Sequence, residues 1–339
     1  MNDAEKQVNF ANHADSLPPH GDRSSNDNLW QNADQPNDSE LSVRKRKYRI
    51  PAILFFLTCV STFWVGVTGW QPIEVLVDSA EAGNLMNVRL LVLENWQQGL
   101  LYMASLLGIL LFHELGHFFT TIVYRIHATA PIFLPFPISN FGTLGAVIAM
   151  DGTAANRRQI FDIGIAGPLA GLVVAIPMAL LGASHLDLTT PSYGAIGLKM
   201  PLLLDWLIRW NEVAGYKNET VYLTQLNPYF AAAWMGFVIT GLNMMPVGQL
   251  DGGHITYTLF GKYAHPLAKL IVIAAIAFMV YFQHYVFILM VALLILFGTE
   301  HPPTSDDTAK LGWFRTILGL ASLAIPIFCF PPMVFALTT

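Results

Sequence analysis

The chain has 339 residues, of which 54% are hydrophobic and only 12% are charged. Soluble domains carry roughly 25% charged residues, so this composition excludes an ordinary soluble protein and indicates an all-α polytopic membrane protein. The formal net charge of −5 gives no indication of a nucleic-acid partner.

Residues 1–47 are predicted to be a disordered cytoplasmic tail. They are rich in Asn, Asp, Ser, Gln and Pro, and they contain too few apolar residues to offset the entropy lost on ordering. Basic residues at 44–49 lead straight into the first apolar run, at about 51–70. The positive-inside rule keeps such a cluster in the cytoplasm, so the segment 48–97 is predicted to contain an outward first span and an outer loop at about 71–97.

The second span, at about 98–124, returns to the cytoplasm and is apolar except for the sequence HELGH near its middle. The following segment, 128–150, is also apolar but is dense in Pro, Gly, Ser and Asn, which a helix tolerates poorly. Backbone without helical hydrogen bonds is allowed at membrane depth only where protein or a water-filled cavity covers it. We therefore predict short strands or a re-entrant loop beside the second span.

Later apolar runs predict the remaining spans. The fourth span, at about 228–247, breaks at the sequence NMMPVGQLDGGH, and an amphipathic stretch at 202–210 in the outer segment before it is expected to lie in the membrane interface. We predict about seven transmembrane helices in total and find no internal repeat in the sequence. The chain is predicted to divide into a membrane core at 98–260 and C-terminal spans at 261–339. The other spans are predicted at about 160–183, 266–282, 285–298 and 313–336.

The sequence His113-Glu114-Leu115-Gly116-His117 has the spacing of a metal site on one face of a helix. Positions i and i+4 share that face, so both imidazoles can bind one ion, and the glutamate can take a proton from a water molecule that the ion has made more acidic. Two histidines and a glutamate within one turn at the bilayer centre cost several kcal/mol unless they bind a partner. We predict one zinc ion per chain, with His113 and His117 as ligands and Glu114 as the general base.

A catalytic zinc usually takes three protein ligands and leaves the fourth position to water. The best further candidate is Asp251, because Pro and Gly residues at the end of the fourth span let the backbone turn toward a neighbouring helix. The second and fourth spans both descend toward the cytoplasm, so they can present these groups at a similar depth. The alternative is that Asp251 only caps a helix end at the membrane surface.

The two motifs together resemble the site-2 protease family of intramembrane metalloproteases, over about residues 98–260. The resemblance implies that Asp251 is the third zinc ligand and that Asn243 and Pro246 belong to the same motif as Asp251. The side-chain amide of Asn243 can hydrogen-bond the oxyanion of a scissile carbonyl, or it can cap the unwound helix end. The resemblance also implies a zinc metalloendopeptidase that cleaves a single-span membrane protein within or near its membrane segment, with zinc-activated water as the nucleophile and 98–260 as the catalytic core.

Three alternatives stay open from the sequence. A transporter using the same cluster predicts a relay of acids and histidines along several spans, and often internal repeats. The second alternative, an inactive relative, predicts the loss of a metal ligand or of the general base. The third is another family of membrane zinc proteases, which usually place a Glu ligand on the next helix. The expected location is a bacterial cytoplasmic membrane, with the chain crossing the lipid bilayer several times and its N-terminus in the cytoplasm.

The remaining histidines fall into two groups. His254 follows Asp251 and is expected either to support the metal site or to be an ordinary surface residue. A solvated or interfacial position is predicted for the histidines at span ends or in loops, which are His127, His185, His265, His284 and His301.

Overall fold

The computed structural model describes residues 38–189, 196–217, 220–283, 288–331 and 335–336. Residues Tyr48–Thr339 form one compact unit. Most of the predicted tail, residues 1–37, lies outside the described residues. The first helix, α1, runs from Asp38 to Val67.

Helices make up most of the described residues, as the composition predicts. The helices that follow α1 are α2 (Pro72–Glu81), α3 (Met86–Val123), α4 (Arg157–Ser184), α5 (Leu202–Trp210), α6 (Pro228–Asn243), α7 (Asp251–Phe260), α8 (Ala264–Tyr281), α9 (Ile288–Phe297), α10 (Trp313–Ser322) and α11 (Ile325–Cys329). Short strands interrupt them at β1 (Ile132–Phe136), β2 (Gly142–Val147), β3 (Gly197–Lys199), β4 (Thr220–Tyr222) and β5 (Phe335–Ala336).

Within the described part of the chain, 4 helical segments are long and apolar enough to cross a membrane. They are Arg49–Val67, Met86–Val123, Arg157–Ser184 and Asp251–Tyr281. This confirms a helical membrane protein with several spans. The predicted fourth span is the 16-residue helix α6, which falls short of that length, and the last predicted span contains only a shorter apolar helix, Trp313–Cys329. The total of about seven therefore stays a prediction.

The segment predicted as an outer loop, at about 71–97, contains α2 and the first turns of α3. Its position on the outer side stays a prediction. Ile73, Leu76 and Val77 recur at helical spacing in α2, which is the pattern of one helix face. All three side chains are about half exposed, and lipid contact suits them. The acidic residues of this segment, which indicate the outer side of the membrane, are also compatible with an amphipathic helix.

Helices α3, α4 and α6 pack side by side to form the centre of the fold. Helix α6 is buried along nearly its whole length, and Phe230, Trp234 and Phe237 are almost completely inaccessible. Alanines at 231–233 let neighbouring helices approach it closely, as small residues do in membrane proteins. This packing holds the middle of α3, with its HELGH sequence, inside the protein rather than against lipid.

The segment 128–150 forms an antiparallel hairpin, which confirms the predicted strands. Strand β1 pairs with β2 from Ile132 opposite Val147 to Phe136 opposite Gly142, with an irregularity after Leu134. The Tyr102 hydroxyl of α3 donates to the carbonyl oxygen of Phe141 at 2.9 Å, and the Ser61 hydroxyl of α1 donates to that of Gly142 at 2.6 Å. The first bond fixes the hairpin against the helix that carries HELGH, and the second fixes it against α1.

A second sheet has the strand order β4-β3-β5 and pairs two strands of the predicted outer segment with β5, at the end of the predicted last span. The amphipathic stretch at 202–210 is helix α5, whose Leu204 and Ile208 join the core with Leu198 of β3. Its opposite face exposes Trp206 and Trp210. The helix is therefore amphipathic as predicted, and its apolar leucine face packs on protein.

Candidate metal centre

Helix α3 carries the HELGH sequence and buries its three ionisable side chains. His113, Glu114 and His117 are 3%, 4% and 5% exposed. The two imidazoles lie one turn apart on the same face, with ring centroids separated by 5.0 Å. Both rings can therefore point at a common centre, as the spacing predicts.

Asp251 reaches the same centre from the break between α6 and α7. Helix α6 ends at Asn243, the chain turns through Gly248 with a positive φ of 52°, and α7 begins at Asp251. Asp251 Oδ2 lies 3.2 Å from His113 Nε2, and Asp251 Oδ1 lies 3.3 Å from His117 Nε2. The structure thus brings together the three residues predicted as ligands, and their ligand atoms all lie within 4.8 Å of one another.

The arrangement fits a tetrahedral zinc ion. Ligand atoms about 2.1 Å from a tetrahedral centre are about 3.4 Å apart, close to the 3.2 and 3.3 Å between Asp251 and the two imidazoles. His117 Nδ1 donates to the carbonyl oxygen of Ile163 at 2.7 Å, so Nε2 of the neutral ring keeps its lone pair on the side of Asp251. Within the described ranges, this is the only group of His, Cys, Asp or Glu side chains with metal-binding geometry.

Comparison with known proteins assigns this site to a family. The sequence profile of peptidase family M50 matches residues 101–286, which is more than half of the chain and includes both motifs. The chain belongs to peptidase family M50. The resemblance to the site-2 proteases inferred from HELGH and the Asp251 segment is thereby confirmed.

The relatives of this M50 chain are longer proteins. "Probable zinc metalloprotease EGY1, chloroplastic" of Arabidopsis thaliana is 28% identical over 298 residues, covering 84% of this chain and 53% of the relative. The protein of the same description from Oryza sativa subsp. japonica is 32% identical over 234 residues, covering 64% and 39%. "Probable zinc metalloprotease EGY2, chloroplastic" of Arabidopsis thaliana is 26% identical over 258 residues, covering 73% and 44%. The chain spans about half the length, or less, of these relatives.

Asn243, the last residue of α6, lies beside the candidate ligands of the M50 site. Its Nδ2 is 3.3 Å from Nε2 of His113. The side chain is only partly buried, so its amide can turn toward a bound molecule. The structure therefore places Asn243 beside His113, and its role in the reaction stays a prediction.

The Glu114 carboxylate makes no hydrogen bond with any residue that the structure describes. A carboxylate with only 4% exposure in an apolar span is costly unless it has a partner. The candidate ligand histidines lie on either side of it on α3, so a water molecule bound beside a metal ion there would be within its reach. This is the position that a general base needs.

Glycines of α4 let it lie directly against the two histidines. A methyl group added at Gly167 would sit 2.0 Å from His117 Nε2, and one added at Gly171 would sit 3.1 Å from His113 Nδ1. The first distance is far inside van der Waals contact. Gly167 therefore makes the room in which His117 takes up its position.

Gly167→Ala is expected to displace His117 and to lower the zinc content of the purified protein at least about 10-fold, because losses of this size follow when a ligand's support is disturbed. Metal analysis and the thermal unfolding midpoint should be measured together. Gly108→Ala in α3 is the matched control, since a methyl group there meets no atom within 4 Å. Full zinc content in the Gly167 variant would contradict the assigned position of His117.

The structure contradicts the prediction for His301 and decides between the two alternatives for His254. His301 was predicted to be solvated, and that is wrong, because it is 6% exposed and its Nε2 lies 2.6 Å from His254 Nδ1. His254 is partly buried and is not an ordinary surface residue. His127 and His185 are exposed as predicted, and His284 lies outside the described residues. His301 is 47 positions from its partner in the sequence.

Proposed function

We propose that the chain is a zinc-dependent metalloendopeptidase that cleaves a membrane-spanning protein within or near its membrane segment. The observation that carries the proposal is the buried group of His113, His117 and Asp251, two of which lie on a helix apolar enough to span a membrane. Membership of peptidase family M50 supports it, as do the EGY relatives described as probable zinc metalloproteases.

His113, His117 and Asp251 are the proposed zinc ligands. A bound zinc ion polarises the attacking water and the scissile carbonyl. Two neutral imidazoles and one carboxylate leave the centre with a net positive charge, which suits the negative charge that develops on the carbonyl oxygen. The bond from His117 to the Ile163 carbonyl holds that ring in the tautomer that such a centre needs.

Glu114 is the proposed proton carrier. Its carboxylate takes a proton from the water molecule as the water oxygen bonds to the carbonyl carbon of the substrate. It then gives that proton to the amine nitrogen as the carbon–nitrogen bond breaks. Because Glu114 is 4% exposed, little bulk water competes for its proton. Asn243 is proposed to donate its amide hydrogen to the substrate carbonyl oxygen and so to stabilise the charge that forms there.

The β1–β2 hairpin is the proposed support for an unwound substrate. A transmembrane helix hides its carbonyl groups in internal hydrogen bonds, so it must open before hydrolysis. Opened backbone in an apolar setting needs new hydrogen-bond partners, and a strand edge can supply them. The bonds from Tyr102 and Ser61 to the hairpin hold it beside α3 and support this role.

The proposed setting is a lipid bilayer that the chain crosses about seven times, with its N-terminus in the cytoplasm and a single-span protein as substrate. The 4 long apolar segments support several crossings of the membrane, and the basic residues ahead of the first one support the cytoplasmic N-terminus. A bacterial cytoplasmic membrane is the proposed location. The EGY relatives are described as chloroplastic, so an organellar membrane is the alternative location for this chain.

Purified protein in lipid nanodiscs tests the proposal. It should contain about one zinc ion per chain and should cleave at least one member of a panel of single-span proteins. Removal of zinc with a chelator should abolish cleavage, and added zinc should restore it. Product masses should place the cut in or beside the membrane segment. A chain that binds no zinc, or cleavage that survives complete zinc removal, would contradict the proposed function.

A further inference from the structure

A cluster of aromatic and imidazole rings lies next to the metal centre, between α7 and the loop that follows α9. His254 stands one turn after Asp251 on α7, and its Nδ1 lies 2.6 Å from Nε2 of His301. The Tyr257 ring stacks flat on His301, with centroids 4.3 Å apart and planes inclined by 10°. The proposed reaction gives no role to any of these three side chains.

The hydrogen bonds of the cluster define where its protons lie. His301 Nδ1 lies 2.5 Å from the carbonyl oxygen of Pro302, and a carbonyl only accepts, so Nδ1 carries the hydrogen. Burial lowers the pKa of His301 below its ordinary value, which favours the neutral ring. Its Nε2 is then an acceptor, and His254 Nδ1 must be the donor. The two rings and the carbonyl thus form a one-directional chain of hydrogen bonds.

The loop that carries His301 is itself firmly attached to the helices around the site. The Tyr257 hydroxyl donates to Asp307 Oδ2 at 3.0 Å, and Ser305 N donates to the Ala155 carbonyl at 2.9 Å. The backbone N–H of Arg157, at the start of α4, donates to the Asp306 carbonyl at 3.2 Å. The loop therefore provides a fixed point against which His254 can be held.

His254 is well placed to transmit this restraint to Asp251. Its backbone N–H donates to the Leu250 carbonyl at 2.9 Å, which closes the first turn of α7 around Asp251. A methyl group built on Gly164 of α4 would meet His254 Cβ at 3.1 Å and the Asp251 carbonyl at 3.4 Å. The first turn of α7 is thus pressed against α4 on one side and held through His254 on the other.

We propose that His301 is a positioning residue for the metal centre, which holds His254 and thereby the turn of α7 that presents Asp251. The inference rests on the proposed function, because Asp251 is a zinc ligand only there. Supporting groups outside the ligand set commonly change metal affinity 10-fold to 100-fold, by fixing where a ligand stands. His301 acts through one intervening residue, so the lower end of that range applies.

Zinc affinity in the full purified chain is the test, measured by competition with a chelator of known affinity. His301→Ala and His254→Ala are each expected to raise the zinc dissociation constant about 10-fold. The double variant should be no worse than the worse single variant, because the two residues act as one unit. His301→Gln should recover most of the affinity, since its side-chain oxygen can accept from His254 Nδ1. Bound Co²⁺ should show a shifted visible spectrum in His301→Ala and a nearly normal one in His301→Gln.

His265→Gln is the matched control. His265 belongs to the same cluster and faces the Tyr257 ring at 5.9 Å, but its buried Nε2 has no hydrogen-bond partner among the described residues. Its replacement should leave zinc affinity and the Co²⁺ spectrum unchanged. Unaltered affinity in His301→Ala, additive losses in the double variant, or an equal loss in His265→Gln would each overturn the inference while the proposed function stands. A wild-type chain that binds no zinc contradicts the proposed function, and the inference with it.

Discussion

Glu114→Gln is expected to lower the rate of peptide cleavage between about 100-fold and about 10,000-fold, which is the usual contribution of a general acid–base group. Glutamine has nearly the same shape as glutamate but cannot accept the proton of the attacking water. The ligand group consists of His113, His117 and Asp251 and does not include Glu114. Zinc content should therefore stay near that of the wild type while cleavage is lost.

The measurement is a cleavage time course in nanodiscs with metal analysis of the same samples. Glu94→Gln is the matched control, because Glu94 lies on the same helix, α3, and is exposed. That change removes an equal charge and should leave both rate and zinc content unaltered. A Glu114 variant that cleaves at the wild-type rate would refute its role as the base, and one that has lost its zinc would show that Glu114 acts as a ligand.

The core of the candidate site was predictable because its constraints are local. HELGH fixes two imidazoles on one helix face by spacing alone. Asp251 was identifiable because an acid at the end of an apolar run, beside Pro and Gly, is costly at membrane depth unless it binds a partner. The strands at 128–150 were predictable for a similar reason, since so many helix-breaking residues exclude a helix. In each case a few neighbouring residues determine the structure.

The parts that sequence reasoning missed depend on contacts between distant segments. Strands β3, β4 and β5 are two or three residues long, too short to show alternation, and they form only because they pair with one another. His301 is buried because its loop docks on α4 and α7, through the bonds of Arg157 N to Asp306 and of Tyr257 to Asp307. This docking depends on residues far from His301 in the sequence. The support of a metal site is therefore harder to predict than its ligands.

Asp251→Ala is expected to raise the zinc dissociation constant by more than about 100-fold, because loss of a direct ligand exceeds the loss caused by a supporting group. Two imidazoles then remain, held by α3 alone. Asp251 contacts both of them, at 3.2 and 3.3 Å, so its removal also takes away the only carboxylate of the group. Cleavage should fall in parallel with zinc occupancy, and a large excess of zinc should restore cleavage only in part.

Asp205→Ala provides the matched comparison for this variant. Asp205 and Asp251 both stand in the first turn of a helix, and their side chains are similarly covered, at 17% and 14% exposure. Asp205 pairs with Arg209 on α5 at 2.8 Å, so its loss affects local stability but not the metal centre. Ligand binding stabilises only a chain that retains its site. Added zinc should therefore raise the unfolding midpoint of Asp205→Ala as it does that of the wild type, and should leave that of Asp251→Ala unchanged. An equal zinc-dependent rise in Asp251→Ala would show that the third ligand lies elsewhere.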